Sequence, residues 1–148
     1  MDKVTTIEGV LLSPLKRIYH PMGDVLHGMK KSDPGYVDFG EAYFSTINFG
    51  DAKPWKRHLK MTLNFVVPVG EIRFVIYDRR ENSVTKECFF DVVLGENNYQ
   101  RITIPPGLWV AFKGIGEEFN LLLNLADLEH DPNEVERKSD LTEIAYKW

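Results

Sequence analysis

An all-β fold of sandwich, jelly-roll or small-barrel type is what the sequence predicts, and three observations carry it. Phe, Val, Ile, Tyr and Leu gather in short runs; Pro and Gly fall between those runs as punctuation; and within the runs apolar and polar side chains alternate with a period of two. At 148 residues, 43% hydrophobic and 27% charged, residues 1–148 read as a single domain that can bury a core without disulfide or metal support.

In chain order, the expected strands are Gly9–Leu12, Glu41–Asn48, Lys56–Val67, Glu71–Tyr77, Cys88–Leu94, Arg101–Ile104 and Glu118–Leu125. Breaks fall at Val66-Val67-Pro68-Val69-Gly70, Gly95-Glu96-Asn97-Asn98 and Pro105-Pro106-Gly107. Helical periodicity is weak. Near the C-terminus Asp140-Leu141-Thr142-Glu143 fits an N-cap with an acid at the third helical position, so a short helix is expected there.

The alternation divides each strand into two faces. From Trp55 to Phe65 the odd positions Trp55, Arg57, Leu59, Met61, Leu63 and Phe65 stand against Lys56, His58, Lys60, Thr62 and Asn64. Ile72, Phe74 and Ile76 stand against Arg73 and Tyr77; Ile102 and Ile104 against Arg101 and Thr103; Phe119, Leu121, Leu123 and Leu125 against Asn120 and Asn124. Two readings fit. The polar sides face solvent, as in an ordinary sandwich, or they line a polar cavity. The second is suggested by side chains rich in His, Asn, Thr, Tyr and Arg with almost no carboxylates, which suits an anionic, hydrogen-bonding ligand.

Composition excludes several classes. A net charge of −4 argues against nucleic acid as a partner. No apolar stretch approaches the roughly 18–20 residues a membrane span needs, and Met1-Asp2-Lys3 leads into mixed sequence. With one cysteine, Cys88, set among acidic and aromatic neighbours, a cytoplasmic protein without a thiol nucleophile is expected. His20, His27, His58 and His130 form no His-x-His pair, so neither a metal nor any other cofactor is expected. Nucleophile-elbow, phosphate-loop and dinucleotide motifs are absent. What remains is His58, on a strand between Lys56 and Lys60.

The segments then fall into a recognisable order: Trp55-Lys56-Arg57-His58; Gly70-Glu71-Ile72 leading to Asp78-Arg79-Arg80-Glu81-Asn82-Ser83; Asn98 followed by Ile104-Pro105-Pro106-Gly107; Asp131-Pro132-Asn133-Glu134; and Ser139-Asp140 with Ile144 and Tyr146 behind it. From about Leu12 to Trp148 this order resembles the dTDP-4-dehydrorhamnose 3,5-epimerase family. The resemblance implies a cupin-like jelly roll (double-stranded β-helix) with a short C-terminal helical or extended tail. It also implies a homodimer and an activity on 4-keto-6-deoxy sugar nucleotides for cell-surface polysaccharide or antibiotic sugars.

Carried over residue by residue, the resemblance puts His58 where the family has its catalytic base and Asp140 where it has the aspartate orienting that base; the helix cap is the competing reading of Asp140. Lys60, two residues along the expected strand face, is the candidate enolate stabiliser. Lys56, Arg73 and Arg101 are candidate diphosphate contacts. Trp109 or Tyr77 could stack on a base or sugar or belong to the core. Asn120 and Asn124 are candidate hydrogen-bonding contacts to substrate.

The family's proton-donating tyrosine is absent: the corresponding strand reads Leu121-Leu122-Leu123-Asn124-Leu125, with Asn124 nearest that position. Trp55 replaces the family's phosphate-binding arginine, and Met22 stands where the family has an arginine before Gly23. These departures favour a single epimerisation or a keto-isomerisation by an epimerase or isomerase. They also admit a cupin-like module that binds a sugar nucleotide or glycan without turning it over, or a regulatory or structural jelly roll.

Overall fold

The computed structural model describes residues 7–148 and, ahead of them, the strand Lys3–Val4. Among the described residues thirteen strands follow one another: β1 (Lys3–Val4), β2 (Leu11–Pro14), β3 (Arg17–Ile18), β4 (Val25–Leu26), β5 (Glu41–Thr46), β6 (Ala52–His58), β7 (Leu63–Val69), β8 (Glu71–Asp78), β9 (Phe89–Gly95), β10 (Gln100–Ile104), β11 (Leu108–Gly114), β12 (Leu121–Ala126) and β13 (Val135–Arg137). Short 3-10 turns at Pro132–Glu134 and Leu141–Glu143 flank β13. A six-stranded sheet, β1-β2-β10-β7-β12-β5, faces a five-stranded sheet, β13-β6-β11-β8-β9, and β3 pairs with β4. This is the expected cupin-like jelly roll, and its C-terminus is a short 3-10 turn running into an extended tail. Among the described residues no helix is long and apolar enough to cross a membrane.

Between the sheets lies the main core. Leu63, Phe65, Val67, Ile102, Ile104 and Leu122 of one sheet pack on Ile72, Phe74, Ile76, Leu108 and Val110 of the other. Phe65 and Phe74 stack across it with centroids 5.3 Å apart.

The expected strand Lys56–Val67 is in fact two strands in different sheets. Its ladder is interrupted because side-chain carboxylates take backbone N–H groups at the join. Glu134 accepts from Lys60 and Met61, each at 3.1 Å, and Asp127 accepts from Thr62 at 2.7 Å. The inward-facing parity therefore reverses across the break: even positions face inward at the end of β6, odd positions in β7. Strand β11 shows no alternation in its sequence because it is central and mostly buried on both faces.

Of the polar side chains, Lys56 and His58 turn into a cavity between the sheets, whereas much of the polar outer faces is covered by other segments of the chain. On the six-stranded sheet, Asn64 and Arg101 bind the carbonyls of Gly28, Pro34 and Gly35, so residues 28–35 lie across that face. The approach is close enough that a Cβ at Gly35, where φ is +87°, would lie 2.3 Å from Thr103 Oγ1. On the five-stranded sheet, Trp55, Val75, Trp109 and Ala111 are covered by Ile144, with Leu141, Tyr146 and Trp148 alongside. Trp55 Nε1 donates to the Leu141 carbonyl at 2.8 Å.

Candidate active site

A β-bulge shapes the site. Between β6 and β11 the register steps from Lys56↔Val110 to Lys53↔Phe112, so Pro54 and Trp55 together oppose Ala111. Proline has no N–H to give to a ladder and is tolerated at a bulge. The extra residue puts Lys53 and Lys56 on the same side of the strand, opposite the inward-facing Phe112 and Val110, and His58 follows Lys56 on that side. They open into a cavity of about 140 Å³ between the sheets. Its β6 wall is Lys53, Pro54, Lys56 and His58, with Val110 and Phe112 of β11 beside them; the other sheet supplies Tyr43, Ser45, Leu63, Phe65 and Leu122.

Behind His58 stands Glu134. Asp131 caps the 3-10 turn by accepting from Asn133 N, Pro132 begins it, and Glu134 ends it. Strand β13 then pairs Val135 with His58, and Leu59 N donates to the Glu134 carbonyl at 2.7 Å. The Glu134 carboxylate, 3% exposed, lies with Oε1 2.6 Å from His58 Nδ1, while Oε2 takes the N–H groups of Lys60 and Met61. Burial pushes this carboxyl upward, but the imidazole and the two backbone donors outweigh it and hold it below its ordinary value. An ionised carboxylate on Nδ1 fixes that nitrogen as the protonated one and leaves Nε2 as the proton acceptor.

Lys56 is lowered from its ordinary value, first by burial and then by the positive charges of Arg137 and Lys53. Lys53 and Lys56 thus line the β6 side of the cavity within reach of the Arg137 charge, and an anion placed between the two lysines would relieve the repulsion.

Of the residues singled out from the sequence, His58 and Lys56 line the cavity, and Asn124 borders it through a bond to Tyr43. The others lie elsewhere. Asp140 caps the turn at Leu141–Glu143, accepting from Thr142 N at 2.9 Å, and its exposed carboxyl is held low by that bond and by the Thr142 hydroxyl. The carboxylate on His58 is Glu134 instead. Lys60 sits in the bend after β6, exposed, because the chain has left the strand before its side chain could share a face with His58.

Arg73 pairs with Asp91 at 2.8 Å and lies near the rings of Tyr146 and Trp148, while Tyr77 stacks on Phe89 with centroids 4.3 Å apart. Trp109 lies under Arg57 and Lys138 on that same outer face. Arg101 is buried against Asn64, Gly28, Pro34 and Asp33, and holds the covering segment. Asn120 satisfies Ile47 O, Gly116 O and Glu71 N at the turn beside Gly70. Asp78 and Arg80 form a salt bridge of 2.9 Å at the end of β8, with Ser83 and Thr85 around it.

Sequence reasoning missed Glu134, Lys53 and Tyr43. The Asp131-Pro132-Asn133-Glu134 segment was visible, and its capped, proline-started turn was the available signal for Glu134. Lys53 needed the bulge, and nothing in the sequence marked Tyr43.

No protein-family model matches the chain. A probable low-salt glycan biosynthesis epimerase of Haloferax volcanii is 40% identical over 117 residues, 76% of this chain and 74% of that protein. Among solved structures, a dTDP sugar isomerase from Desulfovibrio desulfuricans G20 is 38% identical with a TM-score of 0.94, covering 99% of this chain and 94% of that one. A 4-keto-6-deoxy sugar epimerase from Streptomyces spheroides, only 18% identical, shares the fold with a TM-score of 0.89 over 100% of this chain and 78% of that one.

Proposed function

The chain belongs to the family of dTDP-4-dehydrorhamnose 3,5-epimerase-like sugar-nucleotide epimerases and isomerases, and from that premise we propose that it acts on a 4-keto-6-deoxy sugar nucleotide with His58 as the general base. The observation that carries this is the buried Glu134 carboxylate on His58 Nδ1, at the rim of a cavity that also holds Lys56. A ketone at C4 acidifies the hydrogens on C3 and C5. Nε2 takes one of them, Glu134 stabilises the imidazolium that forms, and the C–H electron pair moves into an enolate whose oxygen carries the charge. Lys56, two residues from His58 on the same strand face, is the cation for that oxygen, in the role first expected of Lys60.

The cavity, about 140 Å³, is smaller than the roughly 300–1,000 Å³ typical of pockets for larger ligands. It suits the sugar ring alone, with the nucleotide across its mouth and Lys53 near the diphosphate. The reading extends to one domain over residues 1–148, located in the cytoplasm and acting as a homodimer. The dimer is supported by β5, which ends its sheet with Phe44 65% exposed.

The test is solvent deuterium entering C3 or C5 of a panel of 4-keto-6-deoxy sugar nucleotides. Wild-type protein is expected to catalyse it and His58→Asn to lose it. Exchange that persists in the mutant removes His58 as base, and tight binding without exchange by the wild type points to a binding module.

A further inference from the structure

Inverting a carbon next to a ketone requires a proton to leave from one face and another to arrive on the opposite face. With His58 on the β6 wall, the group that returns the proton must come from the facing sheet. Leu63, Phe65 and Leu122 on that side carry no exchangeable proton; among the described residues, only Tyr43 and Ser45 of β5 present hydroxyls to the cavity. A phenol is much the stronger acid of the two.

The surroundings of Tyr43 suit it to that task. Its cross-strand neighbour is Asn124, 1% exposed, whose Nδ2 donates to the Tyr43 hydroxyl oxygen at 3.0 Å. The orientation of that amide is set by Asn64 N, which donates to Asn124 Oδ1. Because Asn124 is the donor, the tyrosine oxygen is an acceptor in this bond, and its own proton remains free to point into the cavity. The same N–H stays on the oxygen after the proton has left, where it offsets the charge that remains.

Resting on the proposed reaction, we infer that Tyr43 is the catalytic acid of this chain, protonating the enolate carbon on the face opposite His58, with Asn124 as its positioning residue. His58 Nε2 removes the proton from the carbon, the C–H pair becomes the enolate π bond, and the oxygen takes the charge. The enolate then collapses back to the ketone as the carbon takes the Tyr43 proton. Water reprotonates the tyrosinate and accepts the proton held by the imidazolium, so the balance is one hydrogen exchanged and one centre inverted.

Tyr43→Phe separates the two half-steps, and because Tyr43 is 45% exposed on an edge strand, losing its hydroxyl leaves the fold intact; the thermal midpoint checks this. Substrate is incubated in D2O, with deuterium at C3 and C5 read by mass spectrometry and configuration by NMR. The variant is expected to form the inverted product at least 100-fold more slowly than wild type, while deuterium washes into the unreacted substrate. Inversion at the wild-type rate overturns the assignment, as does an equal loss of exchange and inversion, which would place Tyr43 before proton removal. A wild type that exchanges without inverting any centre removes the acid but leaves His58 standing. A wild type with neither exchange nor inversion on any keto sugar refutes the reaction itself.

Discussion

Replacing Glu134 by glutamine removes one negative charge and almost no volume from behind His58. Oε1 lies 2.6 Å from Nδ1, and the two side chains are 4% and 14% exposed respectively. With charge centres about 4 Å apart and an effective dielectric constant of about 20, the carboxylate favours the imidazolium by about 4 kcal/mol. The glutamine carbonyl can still accept a hydrogen bond, recovering about 1 kcal/mol. The remaining deficit of about 3 kcal/mol corresponds to a loss of about 10²-fold in the rate of proton removal. Deuterium incorporation under substrate saturation measures it, with Asp140→Asn as the comparison, since Asp140 only caps the 3-10 turn. Glu134→Gln within threefold of wild type, with the fold intact, refutes the charge argument. So does an Asp140→Asn variant that loses as much.

Lys56→Gln is expected to lower the turnover number about tenfold and to raise KM for the sugar nucleotide, because it removes one of the cations crowded beside His58; steady-state kinetics checks both. Arg101→Met strips the charge-assisted bonds that hold residues 28–35 and is expected to destabilise the fold by about 3–5 kcal/mol. That loss is read by urea unfolding, with exchange activity at low temperature kept within about threefold. Stability should also depend on pH. Glu134 and Asp78 both sit below their ordinary values of 4.5 and 3.8 in the folded chain, each against an upward push from burial: Glu134 through His58 and two backbone donors, Asp78 through Arg80, Ser83 and Thr85. The unfolded chain therefore takes up protons first as pH falls. The stabilisation is complete above those ordinary values and is lost progressively below about pH 4.5, as pH falls toward the folded values. Thermal midpoints from pH 8 to pH 3 should be flat and then fall, and Asp78→Asn should lower the plateau and flatten the fall.

The jelly roll was legible because most of its strands alternate: Ile72, Phe74 and Ile76 went to the core and Arg73 and Tyr77 to the other face, as the period of two requires. The same rule could not say what covers an outer face. Arg73, Tyr77 and Trp109 sit beneath or beside the C-terminal tail and Arg101 beneath residues 28–35, and these covers are irregular segments with no period of their own. A polar face with few carboxylates therefore looked like a ligand cavity, when much of it binds backbone carbonyls of the same chain.

The site was less legible because it lies where the regular pattern fails twice. The bulge at Pro54-Trp55 shifts parity once and brings Lys53 to the side of Lys56. The break after His58 shifts it again and sends Lys60 outward. Glu134 ties the second of these irregularities to the chemistry. One of its oxygens faces His58 and the other takes the N–H groups of Lys60 and Met61 that a continuing ladder would have used. The carboxylate that orients the base is thus also the one that ends the strand, so the geometry of the bend and the orientation of the imidazole depend on a single side chain. Glu134→Ala should therefore cost both at once, because it removes the acceptor of the bend together with the charge behind His58.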